Sequence, residues 1–227
     1  MPDRLLNELR EALGAARSHL EYERDLGFGE VTLSAAPPLP VAGGTLDEVR
    51  AHLGDCRRCP LCETRKSLVF GVGNPAARLV LVGEAPGREE DERGEPFVGE
   101  AGRLLDRILL AMGLQRDQVY ICNVLKCRPP NNRDPEPEEV TTCEPFLVQQ
   151  LAAIRPEMIV ALGRFAIQTL LQTKVPISKL RGTWQSYQGI PLMPTYHPAY
   201  LLRNPLGKRE VWADMRLVMQ RLRESDG

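Results

Sequence analysis

Six cysteines have the most specific spacing of any residues in this 227-residue sequence. Cys56 and Cys59 are separated by two residues, a spacing that lets two thiolates face one metal centre, and Cys62 repeats it. Cys127 and Cys143 lie far downstream, with 15 residues between them. Four thiolates from these two segments would form a closed metal site. The spacing alone leaves a zinc site and a [4Fe-4S] cluster open.

A short glycine-rich loop carries a second group of candidate side chains. The apolar run at residues 79–82 ends at Gly83, where the sequence continues as GEAPG. Glu84 and Ala85 belong to this loop, and Glu90 and Phe97 follow it before a helical pattern begins. The pattern predicts a strand, a loop and a helix N-terminus that converge. In open α/β sheets, ligands bind at such a place.

Two more polar residues follow predicted strands. Asn123 follows the strand predicted at residues 119–122, and His197 comes after the one at 190–193. The amide of Asn offers one acceptor and two donors, and His can donate a hydrogen bond to developing negative charge. Because the carboxyl ends of parallel strands meet at one edge of a sheet, we expect both residues to lie near the GEAPG loop.

The elements that must position these side chains alternate between strand and helix. Strands are predicted at residues 79–82, 119–122, 158–162 and 190–193. Helices are predicted at about 137–154, 164–172 and 208–223, and an amphipathic one runs through 104–112. This alternation predicts an α/β fold, a three-layer α/β/α arrangement around a central, mainly parallel four-stranded sheet.

Two segments precede this predicted domain. Residues 1–26 have the apolar spacing of an amphipathic helix, and residues 27–44 are rich in Pro and Gly, which is typical of a linker. Thr45 and Glu48 then have the spacing of a capping box and begin a short helix. We therefore expect the catalytic domain to span residues 45–227.

The charge of the chain bears on its partners. The net charge is −1, yet residues 118–133 and 158–209 contain no Asp or Glu. If these segments share one face, they form a phosphate-binding surface.

No apolar run approaches the roughly 18 residues of a membrane span, and the N-terminus lacks a signal-peptide core. We expect a cytoplasmic monomer without a membrane partner, whose cysteines are not disulfides.

The GEAPG loop, the acidic pair after it and the PFVG that begins at Pro96 resemble the iron-sulfur uracil-DNA glycosylases, family 4 of that superfamily. The resemblance covers roughly residues 45–225. It implies an enzyme that flips uracil out of DNA and hydrolyses its N-glycosidic bond, which initiates base-excision repair. It also implies a [4Fe-4S] cluster, whose ligands fall on Cys56, Cys59, Cys127 and Cys143. Cys62 and Cys122 have no assigned role.

The resemblance also implies roles around the base. Phe97 would stack on uracil, Asn123 would pair with its N3 donor and O4 acceptor, and His197 would donate to the leaving oxygen. Gly83 and Ala85 would form the loop that contacts the base.

The carboxylates are less well defined by the motif. The better-known branch of the superfamily has Asp as its water-activating residue at the position of Ala85. We therefore expect Glu84, and after it Glu90, to orient water or stabilise the sugar cation.

The segment HPAYLLRN begins at His197 and has the composition of a DNA-penetrating loop. Tyr200 and Leu201 would fill the gap left by the flipped base, and Arg203 would hold a phosphate. Lys126 and Arg181 are further predicted phosphate contacts.

Two rival functions remain open at this level. One is a relative that traps uracil-DNA covalently, although the chain lacks a His-bearing basic insertion after Asn123. The other is a zinc-stabilised nucleic-acid-binding module without catalysis.

Overall fold

The computed structural model of the protein describes residues 44–225. The helix predicted at residues 1–26 and nearly all of the linker predicted at 27–44 lie outside the described residues. No helix within the described range is long and apolar enough to cross a membrane.

A six-stranded mixed sheet forms the centre of the fold, in the order β1-β3-β2-β4-β6-β5. Its strands are β1 (Val72–Gly73), β2 (Leu79–Gly83), β3 (Tyr120–Asn123), β4 (Met158–Leu162), β5 (Gln185–Tyr187) and β6 (Ile190–Thr195). The four predicted strands β2, β3, β4 and β6 form the parallel middle of the sheet, which confirms the α/β fold. The predicted number of strands is wrong, because β1 and β5 add antiparallel edges. These edges have two and three residues, too few for a sequence pattern to indicate them.

Helices cover both faces of this sheet. They are α1 (Leu46–Leu53), α2 (Arg88–Arg93), α3 (Glu100–Ala111), α4 (Pro137–Ile154), α5 (Arg164–Leu171), α6 (Ile177–Leu180), α7 (Pro198–Arg203) and α8 (Lys208–Glu224). The predicted capping box starts α1, since the Thr45 amide donates to Glu48 at 2.6 Å and the Glu48 amide donates to the Thr45 hydroxyl at 3.3 Å. The predicted bounds of α4 agree with the structure at both ends.

Two apolar cores lie on opposite faces of the sheet. Along β2, Val80 and Val82 pack into one core, and Leu79 and Leu81 pack into the other. Because side chains of a strand alternate between faces, a continuous apolar run is required where both faces are buried. This explains the run LVLV that ends at Gly83.

The register of the sheet aligns the ends of its parallel strands. Gly83 at the end of β2 pairs with Asn123 at the end of β3, and Leu162 pairs with Thr195. The loops that follow these strands therefore leave the sheet at one common edge, as expected for a ligand site in this fold class.

Candidate active site

A cleft of about 410 Å³ lies at the carboxyl edge of the parallel strands. It brings together most of the side chains that the sequence indicated for chemistry: Glu84, Glu90, Phe97, Asn123, His197 and Arg203. A larger cleft of about 520 Å³ lies near the start of β2 and the end of α8, and it contains none of them. Size alone therefore does not select the site, whereas the convergence of polar groups does.

Asn123 carries an unpaired acceptor in this cleft. Its side chain is 2% exposed, and its Oδ1 is the one buried side-chain N or O atom within residues 44–225 that has no hydrogen-bond partner. A Cβ at Gly83 would lie 2.3 Å from this oxygen and 2.7 Å from the ring of Phe97. Only glycine at position 83 allows both side chains to sit this close to β2. The arrangement leaves a buried oxygen that is available to accept a hydrogen bond from a ligand.

Phe97 is held in an unusual backbone conformation beside the cleft. Its φ is 55°, and its ring lies 5.4 Å from the ring of His197 at an interplanar angle of 29°. Arg116 fixes this turn by donating to the carbonyls of Pro96 at 2.7 Å and Phe97 at 3.1 Å. Arg116 was not indicated by the sequence, because it lies 19 residues from Phe97 and in no motif.

His197 has one ring nitrogen committed and one available. The backbone amide of Ala199 donates to its Nδ1 at 3.1 Å, which places the ring proton of the neutral form on Nε2. Burial lowers the pKa of His197 to about 4, and the charge of Glu90 opposes this shift. His197 is therefore a neutral Nε2–H donor at physiological pH.

Glu84 is a carboxylate of the cleft whose pKa is shifted by its surroundings. Burial, with a smaller contribution from the charge of Asp134, raises the pKa of Glu84 to about 7, and Arg164 opposes the shift. Arg164 also donates to Asp134 at 2.9 Å. A carboxyl group with a pKa near neutrality in a cleft is suited to proton transfer or to charge stabilisation.

Glu90 lines the same cleft, but its oxygens already bind the backbone. One oxygen accepts from the amides of Val98 and Gly99, both at 2.9 Å, and the other accepts from Gly87 at 3.0 Å. These bonds tie the loop before α2 to the turn that carries Phe97. These bonds hold Glu90 in place at the cleft, and its predicted catalytic role stays a prediction.

The segment after His197 forms helix α7 at the rim of the cleft. Tyr200 and Arg203 line the cleft and are exposed, as a DNA contact requires. Leu201 is 1% exposed and packs in the core, so its predicted role as a wedge is wrong. Leu202 is 41% exposed and is the leucine of this pair that a partner can reach. The sequence does not distinguish the two, because which leucine faces the core depends on how α7 docks.

Of the two other predicted phosphate contacts, Lys126 is wrong because it is buried, whereas Arg181 is partly exposed and its predicted role stays a prediction. Lys126 is 1% exposed, and its Nζ donates to the Asn123 carbonyl and to Gln150 Oε1, both at 2.6 Å. Arg181 is 17% exposed, and its guanidinium pairs with the buried carboxylate of Asp214. The sequence shows that both residues are cations, but it does not show that their partners lie inside the protein.

Comparison with known proteins gives the family. The model of the uracil DNA glycosylase superfamily matches residues 70–216. The type-4 uracil-DNA glycosylase of Archaeoglobus fulgidus is 47% identical over 182 residues, which cover 77% of this chain and 92% of that protein. The chain belongs to the type-4 uracil-DNA glycosylases. The enzyme of Thermotoga maritima is 48% identical over 163 residues, 70% of this chain and 84% of that protein. The resemblance predicted from the loop motifs is confirmed.

The thiols of the four predicted metal ligands of the glycosylase are near enough to influence one another's pKa. The pKa of Cys59 is raised by burial and by the thiol of Cys56, and burial raises the pKa of Cys127 to about 11, with contributions from Cys59 and Cys56. Burial likewise raises the pKa of Cys143 to about 12, with contributions from Cys127 and Cys59. The thiol of Cys62 also raises the pKa of Cys59. The two separated segments therefore meet in one group of thiols.

Backbone and guanidinium N–H groups of the glycosylase point at these sulfurs. Arg65 donates to Cys127 Sγ at 3.3 Å and to the Cys56 carbonyl at 2.6 Å. The amide of Lys126 donates to Cys143 Sγ at 3.3 Å. Such donors favour anionic sulfur, the form that binds metal. Arg65 lies in no motif of the sequence, and the structure alone indicates it.

Cys122 has a different environment from this group. It lies in β3, is 1% exposed and packs in the core with apolar residues. It therefore behaves as a small apolar side chain.

Proposed function

We propose that the cleft binds a uracil base flipped out of DNA and that the protein hydrolyses its N-glycosidic bond, the initiating step of base-excision repair. The observation that carries this proposal is the unpaired Oδ1 of Asn123. A buried acceptor without a partner costs about 1–3 kcal/mol, which a ligand donor recovers on binding. Uracil presents an N3–H donor next to its O4 acceptor, so the Asn123 amide can bind both atoms at once.

The bond cleavage creates charge on both products, and the proposed site has a group for each. As the N-glycosidic bond breaks, its electron pair moves to uracil, and the deoxyribose gains cationic character. The Nε2–H of His197 would donate to the uracil oxygen that becomes negative. The ionised Glu84 would stabilise the sugar cation and orient the water that adds to it. Phe97 would hold the base by stacking.

The proposed role of Glu84 gives a pH dependence. Only the carboxylate acts on the sugar cation, and the pKa of Glu84 is about 7, so kcat/KM should fall about tenfold for each pH unit below neutrality. His197, with a pKa of about 4, does not change charge in this range. The rate profile between pH 5 and 8 measures this, and Glu84→Gln should give a slow, flat profile. Glu138→Gln, on the exposed start of α4, is the matched control and should keep the wild-type profile. A wild-type profile that stays flat down to pH 5 would exclude this role for Glu84.

DNA would be held at the rim of the cleft. Tyr200 and Leu202 are exposed apolar groups on α7, and Arg203 is an exposed cation beside them. An apolar side chain can fill the space of the extruded base while a cation binds the flanking phosphate. We therefore propose Leu202, in place of Leu201, as the wedge.

The cysteine group is suited to a [4Fe-4S] cluster held by Cys56, Cys59, Cys127 and Cys143. The resemblance to the iron-sulfur glycosylases favours this cluster over a four-thiolate zinc site. The sulfurs of Cys127 and Cys143 accept hydrogen bonds that favour thiolates, the form that binds iron. Bound there, the cluster would tie the segment after α1 to β3 and α4.

Iron content tests this assignment. Protein purified without oxygen should be brown and carry about four irons per chain. Cys127→Ala should lose the iron and much of the folded protein, because metal binding is coupled to folding. Cys62→Ser should keep the iron and is the matched control. Stoichiometric zinc without iron, or iron loss in Cys62→Ser, would contradict this ligand set.

One experiment separates the proposed function from its rivals. The protein is incubated with a labelled oligonucleotide containing one uracil and is then treated with alkali, which cleaves abasic sites. We expect strand cleavage at the uracil and release of free uracil. A covalent protein–DNA adduct would favour the trapping relative, and binding without either product would favour a non-catalytic module.

We also propose that residues 45–227 form the catalytic domain and that the protein acts as a monomer.

A further inference from the structure

The segment from Asn123 to Cys127 connects the proposed uracil-binding amide to a proposed cluster ligand within five residues. The backbone amides of residues 124, 125 and 126 donate, in order, to Gly83 O (3.0 Å), Glu84 O (2.9 Å) and Cys143 Sγ (3.3 Å). Consecutive residues are thus bound first to the loop at the cleft and then to the cysteine group. A displacement of the Cys127 end of this segment would therefore also displace the Asn123 end.

The side chain of Lys126 turns back within this segment. Its Nζ donates to the carbonyl of Asn123 at 2.6 Å and to Gln150 Oε1 at 2.6 Å. Gln150 is itself fixed, because its Nε2 donates to the Phe70 carbonyl at 2.9 Å and to the Tyr120 hydroxyl at 3.2 Å. The Lys126 amine therefore donates to the backbone carbonyl of Asn123 and to one buried side-chain amide.

Building on the proposed function, we propose that Lys126 is a positioning residue that couples the geometry of the cysteine group to the uracil-binding amide of Asn123. The main chain of Lys126 is fixed by Cys143 Sγ and by the Val69 amide, which donates to its carbonyl at 2.8 Å. Its side chain then fixes the carbonyl of Asn123. The direction of the Asn123 side chain follows from that backbone, and a displacement of about 1 Å in such a site costs on the order of 100-fold in rate.

Lys126→Met tests this coupling, because it keeps most of the buried stem and removes the amine. We expect the inhibition constant for free uracil to rise about 10- to 100-fold and the preference for uracil over cytosine in duplex DNA to fall. Affinity for DNA that contains an abasic site, which lacks the base, should stay at the wild-type value, and iron should stay at about four per chain. Lys66→Met, whose side chain is 66% exposed, is the matched control and should match the wild type in all four measurements.

Two results with folded Lys126→Met would overturn the coupling. One is a wild-type inhibition constant for uracil, and the other is an equal loss of affinity for uracil and for abasic DNA, which indicates general destabilisation. If Lys126→Met does not fold, Gln150→Leu removes the second partner of the amine, and an unchanged inhibition constant for uracil there would also overturn it. A wild-type protein that releases no uracil would instead refute the proposed function itself.

Discussion

Asn123→Asp should lower the rate of uracil excision by a factor on the order of 1,000. The ionised carboxylate still accepts from N3–H, but it has no donor for O4 and places a negative charge beside that oxygen. Single-turnover rates on a duplex with one uracil measure the loss. Cytosine presents an amino donor in place of O4, so the variant should also gain weak activity on cytosine.

A matched control separates this effect from a general effect of the Asn to Asp change. Asn74 lies far from the cleft and uses its side-chain oxygen to accept from the Ala76 amide at 2.9 Å, a bond that Asp can also make. Asn74→Asp should therefore excise uracil at the wild-type rate. An Asn123→Asp protein with a near wild-type rate would show that other groups, such as the backbone of the loop that begins at Gly83, read the base.

His197→Phe should lower kcat by about 100- to 1,000-fold while KM changes little. Phe keeps a ring beside Phe97 but removes the Nε2–H that would stabilise the leaving uracil. Because that donor contributes mainly as charge develops, its removal should affect the chemical step more than binding. The test is kcat and KM of folded protein on uracil-containing duplex at pH 7.5.

The control for this variant uses another histidine. His52 lies in α1, where its Nδ1 lies 3.2 Å from Gln149 Oε1 and its ring packs against Phe146. His52→Phe should leave kcat unchanged. A His197→Phe protein whose KM rises while kcat stays constant would indicate that His197 binds the substrate equally in the ground state and the transition state.

Much of the site could be predicted from the sequence because its residues follow recognisable strands. The end of an apolar run fixes where Gly83 and Asn123 lie, and parallel strands bring such ends to one edge. The cysteine spacing indicated a metal site, and thiols from both of the predicted segments influence one another's pKa in the structure. These features depend on local pattern and topology, both of which the order of residues carries.

Other features depend on how the elements dock, which local pattern does not carry. Lys126 has the sequence character of a surface cation, yet its amine is buried between two acceptors. Leu201 and Leu202 are adjacent and identical in type, and only the position of α7 makes one of them core. Arg116 and Arg65 act on residues distant in the sequence, so no spacing rule indicates them.

A crystal structure with free uracil in the cleft tests the central claim most directly. We expect uracil N3 at about 2.7–3.2 Å from Asn123 Oδ1, O4 at a similar distance from Nδ2, and the ring stacked on Phe97. Uracil bound in the cleft with the Asn123 amide still unpaired, or bound only elsewhere on the protein, would contradict the account.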